Sequence, residues 1–268
     1  MSLSIQGKTA IVTGAGRGIG LAIAQHFVER GANVVFADRD EAALDQVLSD
    51  YGADTASVRR FAGNMVEKLT VANLLSATLD AFDRVDILVN AHRLMKPGEA
   101  LDTDSDLLDQ MLRQNLLSGH RLSQLVAKRM IKQAETATDQ GEAGAIVNLT
   151  TMAADRPVPS MLAYSIASAA QEQATRGLAL VLAPHRIRVS GVRFGSVMSH
   201  DLQGALKEKP ALRDQVINGT PMGRIASPDE LVETVHYLVS DAARFVTGQI
   251  ITADGGRSLM DPVSAQIF

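Results

Sequence analysis

Thr9-Ala10-Ile11-Val12-Thr13-Gly14-Ala15-Gly16-Arg17-Gly18-Ile19-Gly20 decides the fold. The first five residues are apolar or β-branched and predict a buried strand. Glycines at 14, 16, 18 and 20 predict a tight turn, and Ile19 to Arg30 carries a helical period that Gly31 stops. Glycines there let the backbone approach a pyrophosphate, whose charge then faces the helix N-terminus. A glycine-rich turn alone is a weak signal. One set between a strand and a helix near the start of an α/β chain is a strong one. The common G-x-G-x-x-G spacing would need a glycine at 19, where Ile19 stands; the spacing present is T-G-x-x-x-G-x-G, through Gly14, Gly18 and Gly20.

Working outward, short apolar runs alternate with helical patterns. Strands are expected at 33–37 (ending at Asp38), near 57–62, at 86–90, 145–149, 186–192 and 248–252. Helices are expected over 41–51, as one long pattern over 104–132, and over 161–182, ended by Pro184. Ser227-Pro228-Asp229-Glu230 has the pattern of a helix start with a capping box. Residues 135–144 are polar and predict a surface loop. No Pro/Ser-rich linker and no repeat divides the chain. The pattern predicts one α/β domain, residues 1–268: a doubly wound parallel sheet with helices on both faces, a Rossmann fold.

Composition narrows the function classes. At 268 residues, with 46% hydrophobic and 21% charged, the chain can bury a core. A net charge of −4 gives no basic footprint for nucleic acid or an anionic membrane. The absence of cysteine excludes disulfides, thiolate metal sites and a cysteine nucleophile, and fits a cytoplasmic protein. Residues 1–8 lack the pattern of a signal peptide, and no apolar run approaches a membrane span.

The glycine spacing, together with Asn115, Thr151 and Ala163-Tyr164-Ser165-Ile166-Ala167-Ser168, resembles the short-chain dehydrogenase/reductase family. Pro221-Met222-Gly223-Arg224 and the segment from Val246-Thr247-Gly248-Gln249 to Ala253-Asp254-Gly255-Gly256 extend the resemblance over nearly the whole chain. It implies an oxidoreductase moving a hydride between NAD(H) and a carbonyl or secondary alcohol, often as a homodimer or homotetramer built on two long helices. The implied cofactor residues are Gly14, Arg17, Gly18, Ile19, Gly20, Asp38, Asn64, Met65, Asn90, Gly195 and Val197. Asp38 ends the second strand, where a carboxylate accepts bonds from the ribose hydroxyls and repels a 2′-phosphate. That favours NAD over NADP, although Arg17 and Arg39 stand close by. No metal is implied.

The resemblance also implies the chemical end: Asn115 for a proton relay, Thr151 for the substrate oxygen, Tyr164 for the proton, and a fourth position now occupied by Ser168. The family pattern is Tyr-x-x-x-Lys. Tyr164 and Ser168 lie one turn apart on one helix face. An ordinary phenol is ionised only about one part in a thousand at neutral pH, and a cation within about 4–6 Å shifts that by one to three pH units. Serine brings no charge. Arg93, Lys96 and Arg193 are the candidate substitutes. Further departures gather nearby: Asn90-Ala91-His92-Arg93 where the family has Asn-Asn-Ala-Gly, and Phe194 where it has proline. His92 is read as structural. Residues 196–224 are expected to form a mobile substrate loop. The competing reading is a catalytically impaired NAD(H)-binding homologue acting as a sensor or assembly partner.

Overall fold

The computed structural model describes residues 3–49, 51, 56–136 and 141–261. Seven strands form one parallel sheet: β1 Thr9–Thr13, β2 Asn33–Asp38, β3 Val58–Ala62, β4 Ile87–Asn90, β5 Gly144–Thr151, β6 Ile187–Phe194 and β7 Ile250–Ala253. Their order is β3-β2-β1-β4-β5-β6-β7. The chain therefore reverses its direction of travel across the sheet between β1 and β4. In an open parallel sheet the crevice at that reversal, beyond the strands' C-terminal ends, is where ligands bind.

The helices are α1 Gly18–Glu29, α2 Glu41–Ser49, α3 Lys68–Phe82, α4 Leu107–Leu112, α5 Ser118–Thr136, α6 Leu162–Leu182, α7 His200–Glu208, α8 Ala211–Asn218 and α9 Pro228–Val239. Alternation along the strands sorts the core into two layers. Ala10 and Val12 face one way and pack with Ile23 and Phe27 of α1 and Val235 and Leu238 of α9. Ile11 and Val35 face the other way, towards Val71 and Leu74 of α3 and Leu122, Val126 and Met130 of α5. Phe27, Phe36, Ile11 and Leu122 are fully buried; each contributes roughly 1.5–3 kcal/mol.

Three segments differ from expectation. The pattern over 104–132 is not one helix: a π-helical turn, Arg113–Leu117, separates α4 from α5. Helix α3 was not expected at all; it buries only Val71, Leu74 and Thr78, so most of its apolar period is absent. The region expected as a substrate loop holds α7 and α8, broken at Lys209–Pro210. The capping box at Ser227 is formed, with the Ser227 N–H donating to Glu230 (2.9 Å). Of the polar stretch 135–144, residues 137–140 lie outside the described residues. No helix among the described residues is long and apolar enough to cross a membrane.

Candidate active site

Two adjoining clefts open at the switch point. The first, of about 210 Å³, is lined by the glycine turn, Asp38, Asn64, Met65 and the segment 91–93. The second, of about 740 Å³, is lined by Thr151, Tyr164, Gly195, Val197, several methionines and Arg156 and Arg257. Arg93, Phe194 and Ser199 line both.

The first cleft fits a pyrophosphate on its own geometry. Helix α1 begins after Arg17 with no side-chain cap and no acidic residue in its first turn, so its leading N–H groups face the cleft unpaired by the protein's side chains. Gly14 and Gly18 have φ of 68° and 61°. A Cβ on Gly14 would stand 2.8 Å from the His92 backbone, and one on Gly20 would stand 2.2 Å from the Gly14 carbonyl oxygen. Only glycine permits that approach of turn, helix and β4 loop. Asp38 closes the far end: its carboxylate accepts from Gly16 N–H at 2.9 Å and from Asp40 N–H at 3.0 Å. Arg17 is paired with Asp40 at 2.5 Å, whereas Arg39 lines the cleft. Asn64 accepts from Val66 N–H (3.2 Å), which shapes the turn carrying Met65 into the cleft.

Asn90 lies elsewhere than its implied role. Its side-chain amide is buried at the end of β4, the central strand, and donates to Asn148 (2.8 Å) and Ser123 (3.0 Å), tying β4 to β5 and α5. The cofactor cleft is lined instead by its successors Ala91, His92 and Arg93.

His92 is structural, as its lone occurrence suggested. Nδ1 meets Thr13 Oγ1 at 2.7 Å and Nε2 meets Ser118 Oγ at 2.6 Å. The Ser118 hydroxyl donates to Gln114 O (2.6 Å), so it accepts from His92 Nε2–H; the Thr13 hydroxyl lies closer to Nδ1 (2.7 Å) than to Val89 O (3.3 Å), so its proton goes to Nδ1. That is a neutral imidazole, and burial lowers its pKa to about 4.

In the second cleft, Tyr164 is buried in the first turn of α6 and Thr151 ends β5, directly opposite Phe194 of β6. The Thr151 hydroxyl accepts from Ala153 N–H (3.0 Å), which leaves its own proton for another acceptor. The other two catalytic candidates do not reach the cleft lining. Asn115, in the π-helical turn, accepts from Leu94 N–H (2.6 Å) and donates to Leu94 O (2.8 Å), so it fixes the loop after β4. Ser168 is buried and donates its hydroxyl to the Tyr164 carbonyl one turn back (2.8 Å).

Of the three candidate cations, Arg193 forks onto the buried Glu172 (2.8 and 2.6 Å), which raises its own pKa. Lys96 is exposed on its loop. Arg93 places Nη1 3.5 Å from Tyr164 Oη, and its guanidinium carbon lies 5.0 Å from the Phe194 ring centroid. Sequence reasoning named Arg93 as one of three candidate cations and Phe194 only as a departure. Arg156 and Arg257 also line the larger cleft; their partners are Ser258 O, Met260 O (3.1 Å) and Ser196 Oγ, contacts no local pattern encodes.

A doubly wound sheet with a glycine-cradled cleft at its switch point and a tyrosine–threonine pair beside it defines a nucleotide-dependent oxidoreductase type of architecture. Comparison with known proteins agrees. Residues 14–258 match the family model described as "Enoyl-(Acyl carrier protein) reductase". The chain is 34% identical to galactitol 2-dehydrogenase (L-tagatose-forming) of Cereibacter sphaeroides, over 94% of this chain and 95% of that one. It is 30% identical to the 7alpha-hydroxysteroid dehydrogenase of Escherichia coli K12, over 95% and 96%. The solved structure of a 7 alpha-hydroxysteroid dehydrogenase with NADH and 7-oxo glycochenodeoxycholic acid superposes with a TM-score of 0.86 at 30% identity, covering 95% of each chain. A gluconate 5-dehydrogenase from Burkholderia cenocepacia, solved with NADP and tartrate, gives 0.86 at 27% identity, over 97% of this chain and 98% of that one. The chain belongs to the short-chain dehydrogenase/reductase family.

Proposed function

We propose that this chain binds NAD(H) in the glycine-cradled cleft and transfers a hydride between it and a carbonyl or secondary alcohol held in the larger cleft. The observation that carries this reading is that Tyr164 and Thr151 line the larger cleft, which shares Arg93, Phe194 and Ser199 with the nucleotide cleft. Gly14, Gly18 and Gly20 would admit the pyrophosphate, and Asp38 the ribose hydroxyls. The pairing of Arg17 with Asp40 removes one cation that a 2′-phosphate would need, which favours NAD over NADP. When bound, the cofactor supplies the hydride donor or acceptor. Thr151 donates its free proton to the substrate oxygen, and Tyr164 Oη gives or takes the proton of the alcohol. Asn115 positions the loop through Leu94 rather than touching substrate.

Met95, Met152, Met161, Val158 and Leu202 line the larger cleft, and flexible thioethers of this kind accept bulky apolar shapes. A large apolar ketone or alcohol therefore fits better than a small polyol. Residues Leu180 and Val181, 80% and 66% exposed on α6, favour assembly as a homodimer or homotetramer, and the composition favours the cytoplasm.

The test is direct. NADH and NADPH are titrated by fluorescence, and a panel of bulky and small carbonyls is assayed with wild type and Tyr164→Phe. Tight NADH binding with turnover lost in Tyr164→Phe supports the proposal; failure to bind either nucleotide rejects it. The second reading, a non-catalytic NAD(H) binder, draws on Ser168, whose hydroxyl is turned into its own helix. Binding without turnover of any substrate would favour it.

A further inference from the structure

The family places its cation one helical turn after the tyrosine. Here Ser168 is bonded to its own helix, and on the next turn Glu172 is paired with Arg193. The opposite side is different. Arg93 approaches the phenol oxygen from the loop after β4, with Nη1 at 3.5 Å.

Three features hold the guanidinium there. The residue before it, His92, is fixed through both ring nitrogens by Thr13 and Ser118. The residue after it, Leu94, is held through both its backbone N–H and its carbonyl by Asn115. The guanidinium itself rests against the Phe194 ring, whose quadrupole attracts a cation. The departures at 92, 93, 168 and 194 are thus one connected set. Each would look like a separate defect in the sequence, but together they move a positive charge from the helix to the loop.

We propose that Arg93, seated on Phe194, is the positioning cation of this site and substitutes for the family lysine that Ser168 replaces. It stabilises negative charge on Tyr164 Oη, so that the phenol oxygen can release its proton to the substrate alkoxide in reduction and recover it from the alcohol in oxidation. A guanidinium suits this role because it stays protonated at every pH where the enzyme works. The inference rests on the hydride-transfer reading, and its tests separate the two.

The variants are Arg93→Met, Arg93→Lys, Ser168→Lys, Tyr164→Phe and the double variant Arg93→Met/Ser168→Lys. Expected for Arg93→Met is a kcat lower by about 100-fold, measured at saturating NADH because Arg93 also lines the nucleotide cleft. The pH at which the oxidation rate half-rises should move upwards. Arg93→Lys should keep much of the rate, and Ser168→Lys should restore Arg93→Met at least about tenfold. A readout free of turnover accompanies these: in the cofactor-free protein, Arg93→Met and Tyr164→Phe should change the urea midpoint non-additively, as contacting residues do. Wild-type kcat and pH profile in Arg93→Met would overturn the inference and leave the hydride reading standing. Additive midpoints overturn it whatever the activity, as does a wild type that binds NADH but turns over only as Ser168→Lys. If Arg93→Met does not fold, Arg93→Gln takes its place in each comparison. Turnover in no variant, with non-additive midpoints, sinks the hydride reading while the Arg93–Tyr164 coupling stands.

Discussion

Asp38 accepts the Gly16 N–H on one carboxylate oxygen at 2.9 Å and the Asp40 N–H on the other at 3.0 Å, so its charge is fixed at the lip of the nucleotide cleft. A fixed carboxylate there repels a 2′-phosphate. NADH should therefore bind at least about tenfold more tightly than NADPH, a difference of about 1.4 kcal/mol. Asp38→Asn keeps an acceptor for Gly16 and removes the charge, together with the bond from Asp40 N–H. It should bring the two affinities together, with Arg39 then free to attract the phosphate. Fluorescence titration of both nucleotides against both proteins decides this; an unchanged ratio in Asp38→Asn would rule out charge as the discriminator.

Gly20 and Gly14 touch through backbone alone, since a Cβ at 20 would stand 2.2 Å from the Gly14 carbonyl oxygen. No flexible side chain can yield there. Gly20→Ala should cost about 1–3 kcal/mol of stability and lower the melting temperature by roughly 2–12 °C, with NADH binding weakened in parallel. Gly204→Ala is the control: its Cβ would meet nothing within 4 Å on the exposed face of α7. That change should leave stability equal or slightly higher. Differential scanning fluorimetry of the pair checks both directions.

These contrasts also show what could be read from residues in order. The β1–turn–α1 unit was legible because period, glycine spacing and strand composition all act within twelve consecutive positions, 9–20. The strands of the sheet were legible for the same reason, as were Tyr164 and Thr151 once the family spacing was recognised. Helix α3 was not, because it buries three residues and leaves Leu69 73% exposed, so its hydrophobic period is faint. Helices α7 and α8 were hidden by Gly204 and Pro210, both of which read as loop. The contact of Arg93 with Tyr164 joins residues 71 positions apart, one on the loop after β4 and one on α6, and the Asn90 amide, buried in the core, bonds to Asn148 and Ser123. Neither is a local property. Sheet topology sets them, and no spacing rule carries them.

Thr151 offers the larger cleft one proton, because its oxygen is already engaged by Ala153 N–H. Thr151→Ser retains both bonds and should keep most of the activity. Thr151→Val keeps the shape, loses the donor and leaves Ala153 N–H unpaired. It should lower kcat/KM by about tenfold to a hundredfold, the scale of one lost hydrogen bond to a developing charge. Tyr164→Phe removes the proton itself and should lower kcat by about 10²–10⁴-fold. Steady-state kinetics with one bulky ketone suffices. Equal losses in Thr151→Ser and Thr151→Val would mean that the methyl group, and not the hydroxyl, is what matters at this position.

The imidazole of His92 is held neutral between Thr13 and Ser118, and burial lowers its pKa from 6.5 to about 4. In the unfolded chain the same group titrates near 6.5. Between those values the unfolded state binds the proton and the folded state does not, so acid favours unfolding. The stability that His92 confers is complete above about pH 6.5, is lost progressively as the pH falls towards 4, and changes no further below that. His26, against His236 between α1 and α9 (2.7 Å), adds to the loss in the same direction, its pKa lowered by burial and then by its neighbour. Urea unfolding at pH 8 and pH 5 should therefore show a lower midpoint at pH 5. His92→Gln, which has no charge to gain, should show a smaller drop between the two pH values even if it is less stable at both. The same drop in His92→Gln as in wild type would place the acid sensitivity elsewhere. Because His92 is the residue that holds Arg93 from its N-terminal side, a protonated His92 also loosens the cation at Tyr164. In the folded protein that proton arrives only near pH 4, so activity should hold from pH 8 to pH 5 while the fold persists, fall near pH 4, and recover when the sample is returned to pH 8.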